Sequence, residues 1–198
     1  MRVVSVTEAL NASRVRRWAG NPADWARRAQ IGTAVHRALA ILDCNGVSWE
    51  GAIPDWIAEF DAVSPEVKPM CLAWECFKAE HHFKPRLIEH TFFAKDGITE
   101  FVTTIDREGL MDGLPSIVEI KTPKIWEPYW GVQLAGQEIA VLSVQGPPRE
   151  RPYRYQRVAV QVRADRSYRL RVFDKPSDYA IFRCSLTIAV WNRNEYGE

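Results

Sequence analysis

Between Arg86 and Thr122 the apolar residues recur at every second position rather than every third or fourth, and charged residues sit inside the apolar runs. "RLIEHTFFA", "EFVTTID" and "SIVEIKT" read as three consecutive strands. The first two are joined around the turn dipeptide Asp96-Gly97, and the third is reached through a loop containing Gly113 and Pro115. Strands joined by short turns pair with their neighbours, so the stretch predicts an antiparallel meander. In the third strand Glu119 and Lys121 leave one face while Val118 and Ile120 leave the other. This is either a half-exposed strand with a cross-strand ion pair, worth about 0.2–1 kcal/mol, or two charges that bind something.

Helical periods flank the meander. "NPADWARRAQIGTAVHRALAIL" places Val35, Leu39 and Leu42 on a buried stripe, with Gly32 and His36 stacked one turn apart. A second helix is expected from about Pro65 to His82, ending before Pro85. "EPYWGVQLAGQEIAVLSV" returns to helical period, with Val132, Ala135, Ile139 and Leu142 as its apolar stripe and Gln133 and Gln137 roughly opposite. "RVAVQV" and "YRLRVF" form a hairpin around Asp165-Arg166-Ser167, and "SDYAIFRCSLTIAVWNR" closes the chain as a helix capped by Ser177 or Asp178. The expected architecture is one α/β domain over residues 1–198, a mixed central sheet of meander plus C-terminal hairpin, flanked by helices.

With 46% hydrophobic and 26% charged residues the composition is that of an ordinary globular protein. No leader pattern or membrane-length apolar run is present, so a cytoplasmic protein with no membrane partner is expected. Cys44, Cys71, Cys76 and Cys184 form no CxxC pair and are expected to be reduced and mostly buried. A net charge of +1 conceals a basic segment: from Arg151 to Lys175, seven arginines and one lysine face only Asp165 and Asp174. That segment is a candidate for contacting a polyanion.

Asp106 closes the strand that precedes Glu119, and antiparallel pairing would bring the two carboxylates within a few ångströms. Like charges that close are unfavourable unless a cation joins them. Hard oxygen ligands suit Mg²⁺, with Mn²⁺ able to substitute, and a lysine alongside could hold a water and offset charge building on a phosphoryl group.

Asp106 followed by Glu119-Ile-Lys121 resembles the signature of the PD-(D/E)XK nuclease superfamily. "GTAVHRAL" is similar to the Gly-xxx-His helix of its RecB-like and lambda-type phage exonuclease branch. "EFVTTIDREG" resembles its Gly-Thr-x-Asp segment, "VEIKT" its Asp-x-Lys-Thr segment, and "WGVQLAGQEIA" its Gln-xxx-Tyr helix, all in the branch's order from Gly32 to Ala140. The resemblance implies a restriction-endonuclease-like core and a Mg²⁺-dependent deoxyribonuclease acting in phage or prophage recombination and repair. It makes Asp106, Glu119, the Ile120 carbonyl and His36 metal ligands and Lys121 the residue that positions the attacking water. Gln133 would orient Lys121 or touch the DNA backbone, and Glu89 would approach the metal through water. DNA is the implied substrate, with a strand-annealing protein or further copies of the chain as partners.

Two positions depart from the branch. Thr103 stands where it has a glycine and Gln137 where it has a tyrosine, which bears on substrate fit more than on the chemistry. The cysteine spacing does not match the branch's iron–sulfur members, so no cluster is expected. Arg169 and Arg171 share a strand face and, with Lys124, are candidate DNA contacts. Trp126, Tyr129 and Trp130 either stack on an unpaired base or pack at the start of the following helix. The alternative function is a nucleic-acid-binding module that keeps the fold with little catalysis. No phosphate loop or dinucleotide fingerprint supports an unrelated metabolic enzyme.

Overall fold

The computed structural model describes residues 3–13, 22–123, 126–149 and 154–196. In chain order the elements are β1 (Val4–Ser5), α1 (Val6–Ala12), α2 (Pro22–Asn45), α3 (Pro54–Val63), α4 (Val67–Glu80), β2 (Lys84–Asp96), β3 (Thr99–Met111), β4 (Leu114–Lys121), α5 (Tyr129–Gln145), β5 (Gln156–Val162), β6 (Tyr168–Phe173) and α6 (Ser177–Tyr196). The predicted strands and the long helices are present.

The six strands form one mixed sheet. β2, β3 and β4 are the antiparallel meander, β5 runs parallel to β4 after the α5 crossover, and β6 folds back on β5 as a hairpin. β1 adds a short parallel strand to β3. The parallel β4–β5 pair requires a connection that crosses the sheet, and α5 supplies it.

Helices cover both faces. On one, α1, α5 and α6 pack Leu10, Trp130, Leu134 and Phe182 against Phe101, Ile105 and Ile117. On the other, α2, α3 and α4 pack Val35, Leu39, Phe60, Trp74 and Phe77 against Val118, Ile120, Val158 and Val160. Each large apolar side chain so buried contributes about 1.5–3 kcal/mol. The stripe Val35, Leu39 and Leu42 is buried as expected. α6 sits directly on α5 at Gly136, where a Cβ would lie 2.5 Å from the Phe182 ring.

Several expectations need correction. β3 does not end at Asp106 but continues to Met111, because Arg107 and Glu108, charged and buried, find partners in Asp43 and Arg86. α5 is not two-faced: packed between sheet and α6, it buries Gln137 completely alongside its apolar residues. Of the four cysteines only Cys71 is buried, and burial pushes its thiol pKa up; Cys44, Cys76 and Cys184 are exposed. α6 already includes Ser177, and Asp178 accepts a hydrogen bond from buried Arg157 at 3.3 Å. α1, α3 and β1 were not anticipated.

Among the described residues no helix is long and apolar enough to cross a membrane.

Candidate functional site

β3 and β4 pair only from Arg107 opposite Val118 to Met111 opposite Leu114. Further back along β3 the same edge is occupied by β1, at Phe101 and Val102. Between these two pairings, at Thr103 to Asp106, β3 and β4 part. The Asp106 carboxylate enters the opening and accepts the Ile120 N–H through Oδ2 at 2.6 Å, standing in for a backbone carbonyl. Side-chain alternation breaks at the same place. Ile105 belongs to the core under α5, whereas Arg107, two residues on, reaches Asp43 and Trp74 on the opposite face.

α2 delivers His36 to this opening. A Cβ on Gly32, one turn earlier, would lie 3.3 Å from Thr122 Oγ1, so the glycine lets the helix approach the end of β4 closely. His36 Nε2 lies 3.1 Å from the Ile120 carbonyl oxygen, and Nδ1 lies 3.4 Å from Asp106 Oδ1 and 3.6 Å from Glu89 Oε1. Potential ligand atoms of His36, Glu89 and Asp106 all lie within 4.8 Å of one another. Glu119 is not in that group.

Glu119 instead faces α5. Its Oε1 accepts Lys121 Nζ at 2.7 Å and Gln133 Nε2 at 2.5 Å, and its Oε2 accepts Gln137 Nε2 at 2.7 Å. Lys121 also donates to Gln133 Oε1 at 3.0 Å and lies 5.7 Å from the centre of the Trp130 ring. The expected cross-strand ion pair is not what forms: Glu119 and Lys121 pair with each other within β4, with side chains only 6% and 14% exposed. Trp130 is wholly buried and Trp126 packs beside it with ring centroids 5.1 Å apart, so the packing alternative holds for these two.

The charges are unevenly satisfied. Burial works against ionisation of Asp106, but the His36 charge at 3.4 Å, Lys121 and the Ile120 N–H outweigh it and hold the carboxyl below its ordinary range. Burial and the Asp106 charge together push Glu119 up, despite Lys121 and Gln137. For His36, burial opposes a charge, yet the nearby carboxylates of Asp106, Glu89 and Glu119 raise its pKa to about 10. Lys121 is likewise desolvated, and Glu119 and Asp106 more than compensate, raising its pKa. Two buried carboxylates thus share one neighbourhood, and one of them is pushed toward the neutral form; a bound cation would relieve this. Carboxylate and carbonyl oxygens with one imidazole fit a hard divalent cation such as Mg²⁺ or Mn²⁺.

No family model matches this chain, and no curated protein does.

A cleft of about 210 Å³ opens beside Gln133, lined also by Ser5, Thr7, Thr103 and Thr104. Across the sheet, Lys121, Gln161 and Arg169 are successive partners in one row, so Arg169 lies on the Lys121 face, about 10 Å away at two strand spacings. Arg169 and Arg171 are exposed, and the Arg171 guanidinium lies over the Phe173 ring at 5.1 Å. Lys124 lies outside the described residues.

Sequence reasoning assigned no role to Arg107, Asp43 or Gln137, and only an indirect one to Glu89. Arg107 and Asp43 meet across 64 residues, and Gln137 bonds to a different element, so local spacing carried no signal for any of them.

Proposed function

We propose that the chain is a Mg²⁺-dependent DNA nuclease with the restriction-endonuclease-like core of the PD-(D/E)XK enzymes, an exonuclease by its likeness to the lambda-type branch. The observation that carries this reading is the placement of Asp106 where β3 and β4 part. His36 and the Ile120 backbone lie on one side of it, and the Glu119, Lys121 and Gln133 cluster on the other.

Asp106, Glu119, His36 and the Ile120 carbonyl are the residues that would hold the cation. Bound there, a divalent cation supplies Lewis acidity toward a phosphoryl oxygen and lowers the pKa of water. Lys121, fixed between Glu119 and Gln133, presents an ammonium that can hold the attacking water and offset negative charge on the phosphoryl group in the transition state. Gln133 serves both partners at once, donating to Glu119 and accepting from Lys121. Its position on the wall of the open cleft also leaves it next to any strand lying there. Arg169 and Arg171 extend positive charge along the same face, where they would neutralise backbone phosphates.

The test is a time course on end-labelled linear duplex, covalently closed circular and single-stranded DNA. With Mg²⁺ the linear substrates should shorten from their ends while the circle survives, and excess chelator should stop the reaction. DNA binding without degradation at any divalent-metal concentration would instead support a binding module that keeps the fold.

A further inference from the structure

We infer that Glu89 is a direct ligand of the divalent cation, contributed by a strand that lies outside the four sequence motifs, and that Arg107 and Asp43 are the residues that position it. The inference rests on the nuclease reading for the presence of a cation, and goes beyond it in the ligand set.

Glu89 sits in β2 at a break in the ladder, between the pairs Ile88 with Arg107 and His90 with Ile105. Its backbone is left-handed, with φ of 47°, a conformation that costs a residue other than glycine about 1–2 kcal/mol. That turn takes the side chain out of the strand's regular alternation and toward α2. There Oε1 lies 3.6 Å from His36 Nδ1, and His36 in turn lies 3.4 Å from Asp106 Oδ1.

The carboxylate is held from behind. Arg107 Nη1 donates to Glu89 Oε1 at 3.1 Å and to the Asp106 carbonyl at 2.6 Å, while Arg107 Nε donates to Asp43 Oδ2 at 2.7 Å. One guanidinium therefore fixes the position of Glu89 and the backbone of Asp106 together. Asp43 is itself anchored by Trp74 Nε1 at 3.1 Å and Lys78 Nζ at 2.5 Å. The side chains of Arg107 and Asp43 have no exposure, but those of Glu89 and His36 are 35% and 29% exposed. The network thus runs from the interior to a solvent-accessible mouth, where an ion with its remaining waters can enter. The hydrogen bond from Arg107 and the ion pair with His36 both fall on Oε1 of Glu89, so Oε2 can turn to the ion without breaking either.

A purely structural alternative is that Glu89 only balances the charge of Arg107. Asp43 already faces Arg107 at hydrogen-bond distance with both side chains fully buried, and that role would not need a carboxylate leaning toward His36.

Glu89→Gln separates the two, because an amide oxygen can still accept from Arg107 while the ligand charge is lost. Mn²⁺ alone is titrated into the full chain, with bound metal read from the loss of the free-ion paramagnetic resonance signal. Thermal unfolding is followed with and without Mn²⁺. Glu89→Gln should weaken Mn²⁺ binding by more than about 100-fold, beyond the roughly 10–100-fold that loss of an outer-sphere partner costs, and should leave metal-free unfolding unchanged. Asp106→Asn should abolish binding. A loss of about 100-fold or less in Glu89→Gln, with binding lost in Asp106→Asn, would overturn the direct-ligand assignment and leave the nuclease reading standing. No Mn²⁺ binding by the wild type would overturn both.

Discussion

Lys121→Ala should lower the rate of DNA cleavage by about 10²–10⁴-fold, the range typical of a lost proton-transfer or charge-stabilising group. DNA affinity should change little. The asymmetry follows from where the ammonium is held. It is fixed by Glu119 at 2.7 Å and Gln133 at 3.0 Å, so it is already in place before substrate arrives and acts on charge that develops only in the transition state. An interaction of that kind lowers kcat without raising KM. Glu119 keeps its bonds from Gln133 and Gln137 in the variant, so the carboxylate stays in place when the lysine is removed. Single-turnover cleavage alongside fluorescence anisotropy separates rate from binding. Undiminished cleavage would reduce Lys121 to a buried counter-ion of Glu119.

Asp43→Ala should destabilise the fold by about 3–5 kcal/mol, the cost of stranding a buried charge when its partner is removed. Its carboxylate receives Arg107, Lys78 and Trp74, and neither its side chain nor that of Arg107 is exposed. Of its carboxylate partners Arg107 would keep only the partly exposed Glu89 at 3.1 Å, and its buried Nη2 already has no partner among the described residues, so little is left to absorb the loss. Urea unfolding monitored by tryptophan fluorescence gives the free energy directly. Replacing Asp43 and Arg107 together with apolar residues should cost less than the sum of the two single changes, because neither charge is then left alone. A loss below about 1 kcal/mol for Asp43→Ala would mean that water reaches Arg107.

The residues most legible in the sequence were those whose partners lie in the same element. Alternation identified β2, β3 and β4, and the i, i+4 spacing of Gly32 and His36 put the two on one face of α2, which in the structure is the face that reaches β4. α1 also had a readable signal. Ser5 and Glu8 form a capping box, with the Ser5 N–H donating to Glu8 Oε2 at 2.7 Å and the Glu8 N–H donating to Ser5 Oγ at 3.1 Å. Pro54 in the first turn of α3, followed by Asp55, was a comparable start signal. The rest depended on distant partners. Ending β3 at Asp106 missed Arg107 and Glu108 because their neutralising partners lie in other elements, and Gln137 had no role because its acceptor lies on β4. Nothing local marks Glu89 for a left-handed backbone, since its conformation is set by the interruption between β2 and β3.

A crystal structure grown with Mn²⁺ and phased to reveal the metal's anomalous signal tests most directly whether the opening between β3 and β4 is a metal centre. One strong peak should appear at coordination distance from an Asp106 oxygen, with His36, Glu89, the Ile120 carbonyl and an oxygen of Glu119 gathered around it. No peak at saturating Mn²⁺, with Asp106 and Glu119 keeping only the hydrogen bonds described above, would contradict it.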